Sequence, residues 1–246
     1  SLNNRIVMAP MTRSFSPGNT PNADVVEYYR QRAAGGTGLI VTEGTCIGHK
    51  AANGYNNVPF IYGEEALAGW KEVVDAVHKE GGKIVPQLWH VGGVRRPGTE
   101  PDAEVPGYSP SGMGKPGKVT GHAMSKEDIA DVVAAFAQAA ADSQAIGFDG
   151  IEIHGAHGYL VDQFFWEGSN QRDDEYGGDL RGRARMMLET VDAVRAVWPE
   201  NLPLSVRLSV ADWIEGGLTI EDNIQMAKWL KERGVDIVDC SGGGAT

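Results

Sequence analysis

His154, His157 and Tyr159 follow one another closely, directly behind the apolar run Ile151-Glu152-Ile153. A neutral imidazole offers one N–H donor and one acceptor, and a phenol keeps its proton at neutral pH. Three such groups on one loop suit three tasks: binding a metal, packing, or holding a substrate oxygen while delivering a proton. A lone His behind a strand is usually structural, and a lone Tyr is a common residue at a core edge. The three together favour a site. Two His three apart supply only two metal ligands, so no metal is expected.

Two more residues stand where their chemistry is costly. Gln87 interrupts Val85-Pro86-Gln87-Leu88 with a primary amide that needs both donor and acceptor partners, a pattern that suits an imide edge. Arg207 places a cation inside Val206-Arg207-Leu208, at an expense of several kcal/mol unless an anion faces it. An internal salt bridge to Asp or Glu would answer that need as well as a ligand would. No Ser or Cys stands beside a base as a nucleophile.

These residues need a scaffold that brings distant strand ends together. Short runs rich in Val, Ile and Leu predict strands at Ile6–Ala9, Leu39–Thr42, Lys83–Leu88, Gly150–Ile153, Leu204–Leu208 and Ile237–Asp239, each expected to be buried on both faces. Helices are expected between them at Ala23–Ala34, Glu64–Glu80, Lys126–Ile146, Leu180–Val197 and Ile220–Arg233. Ser125-x-x-Asp128 and Thr219-x-x-Asp222 read as capping boxes, and Ile129, Val132, Val133, Phe136 and Ala140 form one helical stripe. Gly81-Gly82, Gly147 and Gly234 mark helix ends.

Alternating strands and helices imply parallel βαβ units, in either a closed (β/α)8 barrel or an open doubly wound sheet. The first strand runs into Pro10-Met11-Thr12-Arg13 rather than G-x-G-x-x-G, which favours the α/β TIM barrel. Six units are visible where a barrel has eight, so residues 1–246 read as one domain lacking its last two βα units. In a barrel, functional groups stand past the C-terminal ends of the strands. Thr12, Glu43-Gly44, Gln87, the His154–Tyr159 loop and Arg207 all fall there.

Composition narrows the function classes. Apolar residues make up 41% and charged residues 22%, as in an ordinary globular protein, and the formal net charge is -11. An anionic surface of that size disfavours nucleic acid and anionic membranes, and no apolar run reaches membrane-span length. Cys46 and Cys240 are too few for a disulfide framework; both are expected in the core, in a reducing cytoplasmic setting. No leader is visible, although the chain opens on Ser1 without an initiator Met. A homo-oligomer remains open. Ser241-Gly242-Gly243-Gly244 is given no role as a phosphate loop, and Asp173–Gly178 reads as a turn before a helix.

Arg5-Ile6-Val7-Met8-Ala9-Pro10-Met11-Thr12, Thr42-Glu43-Gly44, Gln87-Leu88-Trp89, His154-Gly155-Ala156-His157-Gly158-Tyr159-Leu160 and Ser169-Asn170-x-Arg172-x-Asp174-x-Tyr176-Gly177-Gly178 together resemble the Old Yellow Enzyme family of FMN-dependent ene-reductases. The resemblance spans nearly the whole chain. It implies FMN over the strand ends, lined by Ala9, Pro10, Met11 and Thr12, with Gly44 allowing close approach, Gln87 on the pyrimidine edge and Arg207 beside N1 and the C2 carbonyl. It further implies that NADPH or NADH reduces the flavin, and that His154 and His157 hold the oxygen of a small activated alkene. Hydride from flavin N5 and a proton from Tyr159 would then saturate the C=C bond. Thr12 stands where the bacterial subgroup with a His/His pair usually carries Cys. Two other readings fit the same residues: the N-terminal part of a larger iron–sulfur flavoprotein of dienoyl-CoA reductase type, and a non-catalytic flavin- or partner-binding barrel.

Overall fold

The computed structural model describes residues 1–214 and 217–243. In chain order the elements are β1 (Val7–Met8), α1 (Ala23–Ala34), β2 (Leu39–Cys46), α2 (Glu64–Lys79), β3 (Ile84–Trp89), four short strands β4 (Tyr108–Ser109), β5 (Met113–Lys115), β6 (Lys118–Val119) and β7 (His122–Ala123), then α3 (Lys126–Ile146), β8 (Ile151–Gly155), α4 (Leu160–Phe165), α5 (Leu180–Arg183), α6 (Arg185–Val197), β9 (Leu204–Ser209), α7 (Ile220–Glu232) and β10 (Ile237–Ser241). The six long-range strands form one parallel sheet in the order β1-β2-β3-β8-β9-β10. Strand order that never reverses excludes the doubly wound sheet, which turns back at a switch point, and is the order of a (β/α)8 barrel of which six strands are described.

Local sequence explains the helices. The Ser125 and Thr219 side chains accept from the amides of Asp128 and Asp222, and both capping boxes are complete. Ile129, Val132, Phe136 and Ala140 are buried along one face of α3, while Val133 at the edge of that stripe is half-buried. Burying Phe136 alone is worth about 2–3 kcal/mol. Gly147 closes α3 at φ 100, a left-handed conformation that a side chain would strain. The expected Leu180–Val197 helix is two helices that meet at Ala184. Arg183 turns inward there to reach the Phe165 carbonyl at 2.6 Å and Glu167 at 2.8 Å.

Several strands run longer than their apolar letters suggest. β2 continues through Glu43-Gly44-Thr45 because each polar group has a partner inside the fold: Glu43 holds Arg13, and the Thr45 hydroxyl donates to the Gln87 carbonyl at 3.0 Å. β8 continues to Gly155 and β10 to Ser241. The expectation of strands buried on both faces fails at the two sheet edges, where Val7 and Ile237 are exposed because β1 and β10, among the described residues, each pair on one side only. Cys46 lies in the core, but Cys240 is exposed on that same edge strand, contrary to expectation.

The register fixes which side chains meet. Gln87 pairs with Glu152 and Glu152 with Ser205, one row across β3, β8 and β9. His154 pairs with Arg207 and Arg207 with Asp239, the next row towards the strand C-termini. Ser209 pairs with Ser241 one step beyond. Below these rows a cavity of about 460 Å³ opens, lined by Val7, Ala9, Val41, Val85, Glu152 and Asp239 among others.

Candidate active site

The polar rows meet part of the burial problem posed by Gln87 and Arg207. Gln87, 3% exposed, donates its Nε2 to Glu152 Oε1 at 2.9 Å, and Ser205 Oγ donates to Glu152 Oε2 at 3.1 Å. Gln87 keeps a carbonyl and a second N–H for another partner. Arg207 Nη1 meets Asp239 Oδ2 at 2.7 Å, so the internal ion pair is present, and Nη2 donates to Ser241 Oγ at 3.2 Å. Its Nε is buried and has no partner among the described residues. Burial, and then the nearby Asp239 charge, push the Glu152 carboxyl up to about 7.

His154, His157 and Tyr159 come together above these rows. His154 packs edge-on against both, with ring centroids 5.3 Å from His157 and 5.1 Å from Tyr159. Trp89 lies 4.9 Å from the Tyr159 ring and stacks on Tyr55 at 5.4 Å, and the Tyr55 and Tyr159 hydroxyls are 3.2 Å apart. Tyr28, on α1, is held between Arg13 and Arg32, whose guanidinium carbons stand 3.7 and 3.6 Å from its ring centroid.

Electrostatics keep all three groups uncharged near neutral pH. Burial, and then the neighbouring His157 and Arg207, hold His154 well below the usual imidazole range. Burial followed by Arg207 lowers His157, against a smaller opposing pull from Asp239. Burial and the Tyr55 hydrogen bond raise the Tyr159 phenol, so its proton is retained. Ala156 N–H donates to His154 Nδ1 at 3.3 Å, which places the proton of the neutral ring on Nε2. The site can therefore supply N–H and O–H donors without a net charge.

The segment Ala9–Thr12 follows directly on β1 and leads to Arg13, which is hydrogen-bonded to β2. Thr12 and Met11 are exposed, and the next residue anchors them: Arg13 donates to Glu43 through its backbone N–H at 3.3 Å and through Nη2 at 2.7 Å. A Cβ on Gly44 would stand 2.6 Å from the Trp89 ring, so the indole occupies the space a side chain there would need. The short helix α4 behind the histidine loop was not foreseen. It places Asp162, whose Oδ2 accepts from Gly158 N–H at 2.6 Å and thereby pins the turn between His157 and Tyr159.

Residue-type reasoning missed Glu43, Glu152, Asp239 and Ser241 as partners. Their signal was the strand period of two. Glu152 lies two before His154, and Asp239 and Ser241 lie two apart on a strand in register with Arg207 and Ser209. Gly244 of the terminal glycine run lies outside the described residues. Asp173–Gly178 is a turn closed by the Arg172–Asp174 pair at 2.6 Å and by Asn170 Nδ2 on the Tyr176 carbonyl at 2.8 Å. Among the described residues, no three His, Cys, Asp or Glu side chains form a metal-binding group, and no helix is long and apolar enough to cross a membrane.

Comparison with known proteins places this geometry. Residues 1–245 match the model of the NADH:flavin oxidoreductase / NADH oxidase family. A putative 12-oxophytodienoate reductase 4 of Oryza sativa subsp. japonica is 43% identical over 79% of the chain and 52% of its own length. An NADPH dehydrogenase of Bacillus cytotoxicus is 41% identical over 99% of the chain and 68% of its own length. The chain thus spans about half of the rice relative and about two thirds of the bacterial one. Morphinone reductase in complex with tetrahydroNAD superposes with a TM-score of 0.87 at 36% identity, covering 97% of this chain and 70% of that one. The old yellow enzyme homologue from Zymomonas mobilis superposes with a TM-score of 0.86 at 31% identity, covering 97% and 69%. The match over nearly every residue, carried by a partial (β/α)8 barrel with this loop at its strand ends, shows that the chain belongs to the NADH:flavin oxidoreductase family of Old Yellow Enzymes, whose cofactor is FMN.

Proposed function

We propose that the full-length protein reduces the C=C bond of α,β-unsaturated carbonyl, nitro or imide compounds with NADPH or NADH. The observation that carries this reading is the packing of His154 against His157 and Tyr159, with ring centroids 5.3 and 5.1 Å apart, in surroundings that lower both imidazoles and raise the phenol. The names of the bacterial relative and of the morphinone reductase complex support a nicotinamide reductant. We also propose that residues 1–246 belong to a single FMN-binding barrel domain, a reading supported by the one-sided pairing of β1 and β10.

The residues present fit FMN. Arg207 has a buried Nε–H without a partner among the described residues, and the Gln87 amide has groups left after its bond to Glu152, so a ring with carbonyls and an imide edge would satisfy both. Ala9, Pro10, Met11, Thr12 and the backbone at Gly44 would complete the holding set. When bound, FMN supplies the hydride that it takes from NAD(P)H. His154 and His157 donate to the oxygen of the activating group and stabilise the negative charge that develops there, in the manner of an oxyanion hole. Tyr159 holds the proton that the α-carbon takes up, and its raised pKa keeps that proton in place before reaction. Tyr159→Phe tests the assignment: oxidation by cyclohexenone should slow by about 10²–10⁴-fold while reduction by NADPH is nearly unchanged. Equal slowing of both half-reactions would remove the proton-donor role.

A further inference from the structure

The Ser241 hydroxyl stands between the ion pair below the site and one of the two histidines. Its Oγ lies 3.2 Å from Arg207 Nη2 and 2.6 Å from His157 Nε2. A guanidinium can only donate, so Ser241 Oγ accepts from Arg207 and has its own proton to place. Among the described residues, the acceptor within reach is His157 Nε2. Arg207 cannot swing away to relax this arrangement, because Nη1 is fixed on Asp239 Oδ2 at 2.7 Å. The opposite polarity, with Nε2–H donating to Ser241, would use both lone pairs of the hydroxyl and leave its proton without a partner among the described residues.

The backbone of His157 is held in the same sense by the neighbouring row. His157 adopts φ 62, a left-handed conformation uncommon outside glycine, and its N–H donates to Ser209 Oγ at 3.0 Å while that hydroxyl donates on to the Gly243 carbonyl at 2.7 Å. Ser209 and Ser241 are register partners on β9 and β10. One serine sets where the loop sits, and the other meets the ring.

We propose that Ser241 is a positioning residue that fixes His157 as its Nδ1–H tautomer, so that the nitrogen left for a ligand is a donor. The inference deepens the reading given under Proposed function and rests on it for the identity of that ligand, an uncharged carbonyl oxygen. With the proton on Nε2, the free nitrogen would turn a lone pair towards that oxygen and repel it. His154, with its Nδ1 taken by Ala156 N–H, offers Nε2–H. The two rings thus donate through different nitrogens.

The test is ¹⁵N NMR of the FMN-loaded full-length protein labelled at its histidines, with His157 assigned through its Gln variant. Two-bond ¹H–¹⁵N correlations should show His157 with a pyrrole-like Nδ1 and a pyridine-like Nε2. Ser241→Ala should exchange that pattern for the Nε2–H form common in free histidine, and Ser241→Thr, which keeps the hydroxyl, should preserve it. An unchanged His154 pattern in each variant reports an intact cluster. Nε2–H on His157 in the unmodified protein overturns the proposal, whether or not the Ala variant folds, and so does Nδ1–H that persists in a folded Ser241→Ala. Cyclohexanone, a carbonyl with no alkene to reduce, separates the two readings. It should shift the His157 Nδ1–H resonance; no shift with the tautomer intact would sink the carbonyl-binding reading and leave the Ser241 assignment standing.

Discussion

Glu152→Gln isolates the electrostatics of the polar row beneath the site. The Glu152 carboxyl is buried, and its ordinary value of 4.5 rises to about 7, chiefly by desolvation and secondly through Asp239. A folded protein that binds this proton more tightly than the unfolded chain gains stability fully below pH 4.5 and loses it as pH rises through about 7. Moving from about pH 5 to about pH 8 should therefore cost the native protein about 2–3 kcal/mol through this one group. Gln keeps the shape and an oxygen to accept from Gln87, and the Ser205 hydroxyl can turn to accept from the new amide. The variant should lose that much less stability over the same interval, read as the difference in urea-unfolding free energies at the two pH values. Parallel pH dependences in the two proteins would show that Glu152 is ionised in the fold near neutrality and that desolvation does not govern this row.

Two further substitutions probe the supports of the site. Gly44→Ala drives a Cβ to 2.6 Å from the Trp89 ring and should cost about 1–3 kcal/mol, lowering the thermal midpoint by about 2–4 °C per kcal/mol; an unchanged midpoint would mean that the strand and indole separate freely. Glu43→Gln leaves Arg13 facing a neutral group in a place where the carboxylate side chain is fully buried, and should cost about 3 kcal/mol while loosening the Ala9–Thr12 segment. Hydrogen exchange at Thr12 and Arg13 checks the second effect, and unaltered protection there would count against the anchoring role.

Much of the scaffold was legible because backbone punctuation is local. Ser125, Thr219, Gly147 and Gly234 mark helix ends by chemistry that acts within one turn, and α3 and α7 begin and end within a residue of where those marks place them. Strand ends were harder to read. Glu43, Thr45 and Ser241 belong to strands because of partners on other strands, and no local pattern encodes a partner. The same holds for the site. Gln87 and Arg207 announced themselves as polar groups in apolar runs, but nothing local tied them to Glu152 and Asp239, which sit on other strands far along the chain. The split at Ala184 coincides with a tertiary contact that no local pattern encodes, since the side chain of Arg183, the last residue of α5, donates to the Phe165 carbonyl. Positions on β1 and β10 read as core from their letters and are exposed here, because a strand's burial depends on both of its neighbours.

The central claim is that the His154–Tyr159 loop works on an activated alkene above a flavin. The most direct measurement is the visible spectrum of the full-length protein under anaerobic conditions, first with NADPH and then with cyclohexenone. The account predicts a flavin band that bleaches with NADPH and returns with the enone in step with formation of the saturated ketone. A flavin that bleaches with NADPH and stays bleached in the presence of the enone would contradict it.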